Sequence, residues 1–152
     1  MYYSPLRYPG GKGKLASFME YMIDQLGHQG GTYIEPFAGG AGIAMELLLR
    51  NVVSRIVIND YDKAVWSFWK AILTETDRFV EEIRTVPLTV DEWQKQHKIL
   101  VTQNDKYSFE LGFAAFYLNR TNRSGIIKVE LLGDRNRQKI GKWTYVSSEK
   151  NW

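Results

Sequence analysis

The sequence predicts an α/β fold in which one strand–helix–strand unit begins a parallel sheet and a long helical region follows. Three observations carry this. Tyr33-Ile34-Glu35 is a short apolar strand that runs into the glycine cluster Gly39-Gly40-Ala41-Gly42, where a helix opens. A second buried strand over residues 55–59 follows that helix, the order that pairs strands in parallel. From Tyr61 onward apolar residues recur at helical spacing, and no strand pattern interrupts them.

Taken in chain order, Leu15, Phe18, Met19, Met22, Ile23 and Leu26 fall on one helical period and predict an amphipathic helix over about residues 14–25. Residues 32–35 form the first strand, 43–50 a helix rich in Leu and Met, and 55–59 the second strand. Val65, Trp66, Trp69 and Ile72 define a helix over 64–73, and Phe79, Val80 and Ile83 mark another. Thr89 with Glu92 three residues later is a capping box for a helix to about residue 100. Residues 111–118 are the last strongly periodic apolar segment, with Asn104-Asp105 as the break before it. Two parallel strands do not make an independently stable sheet, so the sheet is expected to be incomplete. Residues 129–152 are polar, basic and weakly periodic, with Lys142-Trp143-Thr144-Tyr145-Val146 as a candidate strand.

At 152 residues the chain suits one domain with a real core. The absence of Cys excludes a disulfide framework and a thiolate metal site, and His28 and His97 alone cannot build a zinc centre. A cytoplasmic protein is expected. No run of about 18 apolar residues is present and the first residues do not resemble a signal peptide, so neither membrane nor export is indicated. The net charge of +3 decides little. Its distribution says more: Arg120, Arg123, Lys128, Arg135, Arg137, Lys139 and Lys142 gather toward the C-terminal end. Phosphate contacts and a solvated tail both explain that pattern.

The glycine turn carries the chemistry. A dinucleotide fingerprint needs a third glycine three positions after the second, and Met45 stands there after Gly42. A phosphate loop needs Ser or Thr after Gly-Lys, and Leu15 follows Gly13-Lys14. Glycines at 39, 40 and 42 would instead let backbone approach a cofactor closely, with Glu35 at the strand end able to meet a cationic or hydroxylated group. An ordinary tight turn is the alternative. Asp60 ends the second strand, which in this topology sets a carboxylate beside the glycine turn, within reach of ribose hydroxyls. The competing reading is that Asp60 or Asp62 caps the next helix. Tyr8-Pro9-Gly10-Gly11-Lys12 precedes a helix, where backbone N–H groups and a cation favour an anion.

In this order and spacing, Arg7 to Lys12, the Glu35-Pro36-Phe37-Ala38-Gly39-Gly40 turn and Asp60 resemble the DNA adenine-N6 methyltransferases of the DNA adenine methylase type, over about residues 5–128. The resemblance implies a Rossmann-like S-adenosylmethionine methyltransferase core with an incomplete sheet and a mostly helical DNA-recognition insertion. It divides the chain into a partial S-adenosylmethionine-binding core (1–62), a helical DNA-recognition region (63–128) and an atypical basic tail (129–152). It implies S-adenosylmethionine contacts from Tyr8, Lys12, Glu35, Pro36, Phe37, Gly39, Gly40, Gly42 and Asp60. Phe116-Tyr117-Leu118-Asn119-Arg120-Thr121-Asn122-Arg123-Ser124-Gly125 is similar to the family's segment entering the recognition region. That similarity makes Arg120, Arg123 and Lys128 candidate contacts to double-stranded DNA. Read from the residues alone, Asn119-Arg120 is a helix terminus with a cationic cap.

Members of that family hold the flipped adenine with an Asp or Asn, two prolines and an aromatic residue. Here prolines stand at 5, 9, 36 and 87, and no two are adjacent. The chain is therefore expected to be an N-terminal part of such an enzyme, from a truncated gene, a frameshift near residue 128 or a cut, and inactive alone. A non-catalytic DNA- or cofactor-binding module, or half of a split enzyme whose sheet a second polypeptide completes, is one alternative. An RNA or small-molecule methyltransferase is another.

Overall fold

The structure, a computed structural model, describes residues 3–8, 12–102 and 106–127. A short 3-10 helix, Lys12–Leu15, leads into α1 (Ala16–Gln25), and β1 (Thr32–Glu35), α2 (Gly42–Leu49) and β2 (Arg55–Ile58) follow. Four helices come next: α3 (Lys63–Thr74), α4 (Thr76–Thr85), α5 (Val90–Val101) and α6 (Phe109–Thr121), closed by a 3-10 turn, Arg123–Gly125. The expected elements are thus present to within a residue or two at most ends. The Asn104-Asp105 break, Lys128 and the candidate strand 142–146 lie outside the described residues.

Among those residues the fold is helix-rich, with a two-stranded parallel sheet in the register Thr32↔Arg55 to Glu35↔Ile58. Tyr33, Ile56 and Ile58 turn toward the core with Glu35, whereas Ile34 and Val57, paired in register, are exposed. Parallel sheets are ordinarily covered on both faces, so these strands are held from one side. That side is α2, whose Ile43 and Leu47 pack with Ala16, Val53, Met19 and Ile23. The α1 period seen in the sequence divides accordingly. Ala16, Met19 and Ile23 face α2, and Leu15, Phe18 and Leu26 are exposed.

The larger core is helical. α6 buries Phe109 and every residue from Leu111 to Asn119, as an apolar helix must when neighbours surround it. α3 and α5 pack against it. Phe79 of α4 meets Phe68, Phe109, Phe113 and Phe116 with centroids 5.4–5.8 Å apart, all near edge-to-face. Such pairs add about 0.5–1.5 kcal/mol each beyond area burial. The same core includes Leu6, Ala38, Ala41 and Ala44, so the glycine turn rests on the helices. Helix starts are capped by side chains: Asp62 and Thr89, both read as cap candidates in the sequence, accept from the N–H groups of Ala64 and Glu92, and Ser108 accepts from Leu111. The Thr89 box is one-sided, because the Glu92 carboxylate accepts from Gln96 (2.6 Å) and Lys95 (3.2 Å).

α3 and α6 cross where Gly112 meets the backbone of Ser67. A Cβ at Gly112 would stand 2.6 Å from the Ser67 carbonyl oxygen and 2.8 Å from the Phe68 nitrogen. Backbone cannot yield as a side-chain tip can, so Gly112→Ala must separate the helices. Overpacking of this kind costs about 1–3 kcal/mol. Urea denaturation should show that loss, and an unchanged midpoint would refute the crossing.

Candidate functional site

The C-terminal ends of β1 and β2 meet at the glycine turn. Asn59 N–H donates to Glu35 O (3.0 Å) and Ala38 N–H to Asn59 O (2.9 Å), extending the pairing past the strands. The chain then reverses through Gly39 (φ +49°) and Ala41 (φ +47°), both left-handed, and enters α2. Gly39 suits that region, while Ala41 is a non-glycine residue held there by its setting.

Two carboxylates and one indole hold this turn. Asp60 Oδ2 accepts from Gly39 N–H (2.7 Å) and Oδ1 from Asp62 N–H (2.9 Å). Asp62, not Asp60, caps α3 through Ala64 N–H (2.9 Å), which settles which of the two acidic residues is the helix cap. Trp69, buried on α3, donates its indole N–H to Gly39 O (2.8 Å). Gly39 therefore has both peptide groups satisfied from distant segments.

Glu35 is 7% exposed, and its Oε2 accepts from Ala44 N–H (3.1 Å). Ala44 lies in the first turn of α2, whose own cap residue, Ala41, has no side-chain acceptor. The Glu35 carboxylate thus caps α2 from the preceding strand. Burial pushes its carboxyl above the ordinary range, outweighing the Ala44 bond and the nearby Lys12 charge.

The segment Ser4–Tyr8 lies over the turn. Leu6 is fully buried, and Ser4 Oγ folds the segment on itself, accepting from Leu6 N–H (3.2 Å) and donating to Leu6 O (3.0 Å). A Cβ at Gly39 would stand 2.9 Å from the Tyr8 ring, and one at Gly40 3.0 Å from Ser4 Oγ. The glycines that the sequence suggests for close approach of a cofactor are thus required, in the structure, by close approach of this segment. A Cβ at Gly42, by contrast, would stand 3.4 Å from the Gly13 Cα, an ordinary contact, where the 3-10 helix lies against the start of α2. Lys12, Tyr8, Pro36, Phe37 and Tyr61 are exposed around the turn, and Asp60 partly so; Pro9 to Gly11 lie outside the described residues.

At the far end, the Asn-Arg-Thr-Asn-Arg segment reaches back to the same place. Asn119 is fully buried, accepts from Arg7 N–H (2.9 Å) and donates to Arg7 O (2.7 Å) and Gly125 O (2.6 Å). The Arg120 guanidinium donates to Pro5 O and stands over the Phe116 ring. Arg123 is exposed. Of the residues read as DNA contacts, Arg120 is thus engaged within the chain, Arg123 faces solvent, and Lys128 lies outside the described residues. Asn122 accepts from the Trp93 indole (2.7 Å) and donates to Ile126 O (2.9 Å).

Sequence reasoning missed Asn119 as a clamp and Trp69 as a support. A polar residue closing the apolar run Phe116-Tyr117-Leu118 was the available signal for Asn119; Trp69 sits on the apolar stripe of α3 and gave none. Among the described residues no group of three or more acidic or His side chains could hold a metal, and no helix is long and apolar enough to cross a membrane.

The raised Glu35 pKa has a pH signature. The folded chain disfavours the ionised form, so the stability contributed by the protonated carboxyl is complete below the unfolded pKa and falls as pH rises through the folded one. Glu35→Gln should flatten that decline, which begins as pH rises above the ordinary Glu range, in thermal denaturation, because the amide does not ionise. The same decline in parent and variant would overturn the assignment.

The model of the D12 class N6 adenine-specific DNA methyltransferases matches residues 8–139. The chain is also similar to the type II methyltransferase M.MjaIII of Methanocaldococcus jannaschii, 25% identical over 143 residues. That alignment covers 86% of this chain and 50% of the relative, so the chain spans about half the relative's length. The match takes in the Tyr8 segment, the glycine turn, Asp60 and the Asn119 segment together, and on it the chain belongs to the D12 class N6 adenine-specific DNA methyltransferase family.

Proposed function

We propose that this chain carries the S-adenosylmethionine side of an adenine-N6 DNA methyltransferase, built on a Rossmann-like core. The observation that supports it best is the Asp60 carboxylate, fixed on Gly39 N–H at the ends of two parallel strands, where α/β sheets ordinarily take their ligands. The residues fit that group. Each Asp60 oxygen accepts one backbone N–H and retains acceptor capacity for a ribose hydroxyl. Phe37 (73% exposed) and Tyr61 (87% exposed) offer apolar surface on either side of it in sequence. Tyr8, Lys12, Glu35, Pro36, Gly39, Gly40 and Gly42 complete the set. When bound, S-adenosylmethionine supplies an activated methyl group on a sulfonium.

The work of this chain is to bind and orient that donor and to contact DNA through Arg123 and, beyond the described residues, Lys128. The 1–62 and 63–128 division follows that split. Holding the adenine amine in line is work for residues outside this sequence, since it has no adjacent prolines. The whole enzyme's reaction therefore needs further polypeptide. The exposed Ile34 and Val57 face of the sheet favours such completion, whether by the same chain or by a second one as in a split enzyme. Methyl transfer to RNA or a small molecule would use the same donor side and is less consistent with the family match.

Calorimetry with S-adenosylmethionine tests the donor site. The chain should bind weakly, and Asp60→Ala should weaken binding at least about tenfold, or ~1.4 kcal/mol. Equal affinity in the two would overturn the role of Asp60. For DNA, Arg123→Ala should lower affinity across sequences and reduce the slope of log K against log salt by about one. An unchanged slope would remove Arg123 from the phosphate contacts.

A further inference from the structure

We propose that Asn119 is a positioning residue for the donor side, setting the wall of the glycine turn from the opposite end of the chain. The inference rests on the donor-site reading above and goes beyond it, because Asn119 itself touches none of the donor-site residues.

The argument starts from what the Ser4–Tyr8 segment lacks. It has no helix or strand of its own, and its one large buried side chain is Leu6. A single side chain fixes a point, not an orientation. Orientation comes from α6: Asn119 grips both backbone polar groups of Arg7, and Arg120 takes the Pro5 carbonyl. Tyr8 is the next residue, and its ring lies against Gly39, closer than any added Cβ could tolerate. The position of Tyr8 over the turn is therefore set by Asn119 through one peptide.

The same carboxamide donates to Gly125 O. Gly125 is left-handed (φ +71°), and a Cβ there would collide with the Arg7 carbonyl. The loop presenting Arg123 and the segment presenting Tyr8 are thus two sides of one buried amide. Any shift of the loop on binding DNA must be felt at Tyr8, and occupancy at the glycine turn must be felt at the loop, since coupling between binding sites is reciprocal. Asn119 thereby links the recognition side to the donor side.

The test compares Asn119→Leu, which removes all three bonds at similar volume, with Phe109→Leu, a core variant ten residues away at the start of α6, about 15 Å along the helix. In the full chain without ligand, the amide resonances of Gly39 and Gly40 and the ring resonances of Tyr8 should shift or broaden in Asn119→Leu and stay in place in Phe109→Leu. If Asn119→Leu does not fold, Asn119→Asp serves, since it keeps the shape and an acceptor for Arg7 N–H but loses at least one donated bond. Resonances that stay in place in the Asn119 variant, or move equally in Phe109→Leu, would overturn the proposal. Titration with S-adenosylmethionine is the second readout: at least about tenfold weaker binding in the Asn119 variant, with Phe109→Leu near the parent. Binding equal to the parent's would refute positioning. A parent that binds no S-adenosylmethionine would count against the donor-site reading alone, because the resonances decide the clamp without it.

Discussion

The Asn119 carboxamide is fully buried, and two of its three hydrogen bonds hold Arg7, in the segment over the glycine turn, while the third holds Gly125. An amide taken from water without partners costs several kcal/mol, so a buried Asn persists only where its donors and acceptor are matched. Here the match is with backbone at residues 7 and 125, far apart in the chain. The arrangement is satisfied only when both segments are in place. Apolar burial alone would let the Ser4–Tyr8 strip slide over the helices; a directional amide gives it one register.

That register matters because the glycine turn is itself built from remote contacts. Gly39 receives Asp60 on its N–H and Trp69 on its carbonyl, and Tyr8 covers its Cα. Asp60 comes from the end of β2, Trp69 from α3, and Tyr8 from the segment that α6 holds. Glu35 adds a fourth tie by capping α2, at the cost of a carboxyl held above its ordinary pKa. The turn is thus tied from four separate segments, the kind of preorganisation that the proposed donor site requires.

How much of this was legible depended on whether the interaction was local. Helices and strands follow from apolar period and caps, and Asp62 and Thr89 cap where their residue types and spacing place them. The glycine turn and the acidic end of β2 were also legible, because a short strand that runs into three glycines within four residues must reverse there. Asn119, Trp69 and the Tyr8 contact were not. Each depends on a partner between 30 and 112 residues away, and no local pattern records a partner at that distance. The same holds for Gly39 and Gly40: the sequence shows that a Cβ is disfavoured there, but not that Tyr8 and Ser4 supply the atoms that crowd it.

The balance between sheet and helices follows. Two four-residue strands covered on one face are marginal by themselves, and their ladder adds little cooperativity. α6, buried on nearly every side, carries the packing, and the aromatic cluster around Phe79 ties α3 and α4 to it. Trp69 and Asn119 then transmit that rigidity outward from the helical core, one to the turn and one to the segment over it. The glycine turn is held from the helical core rather than from the sheet, so a chain with only two described strands can keep an ordered strand-end turn. The exposed Ile34 and Val57 face is where further strands or helices would add stability without having to create that turn.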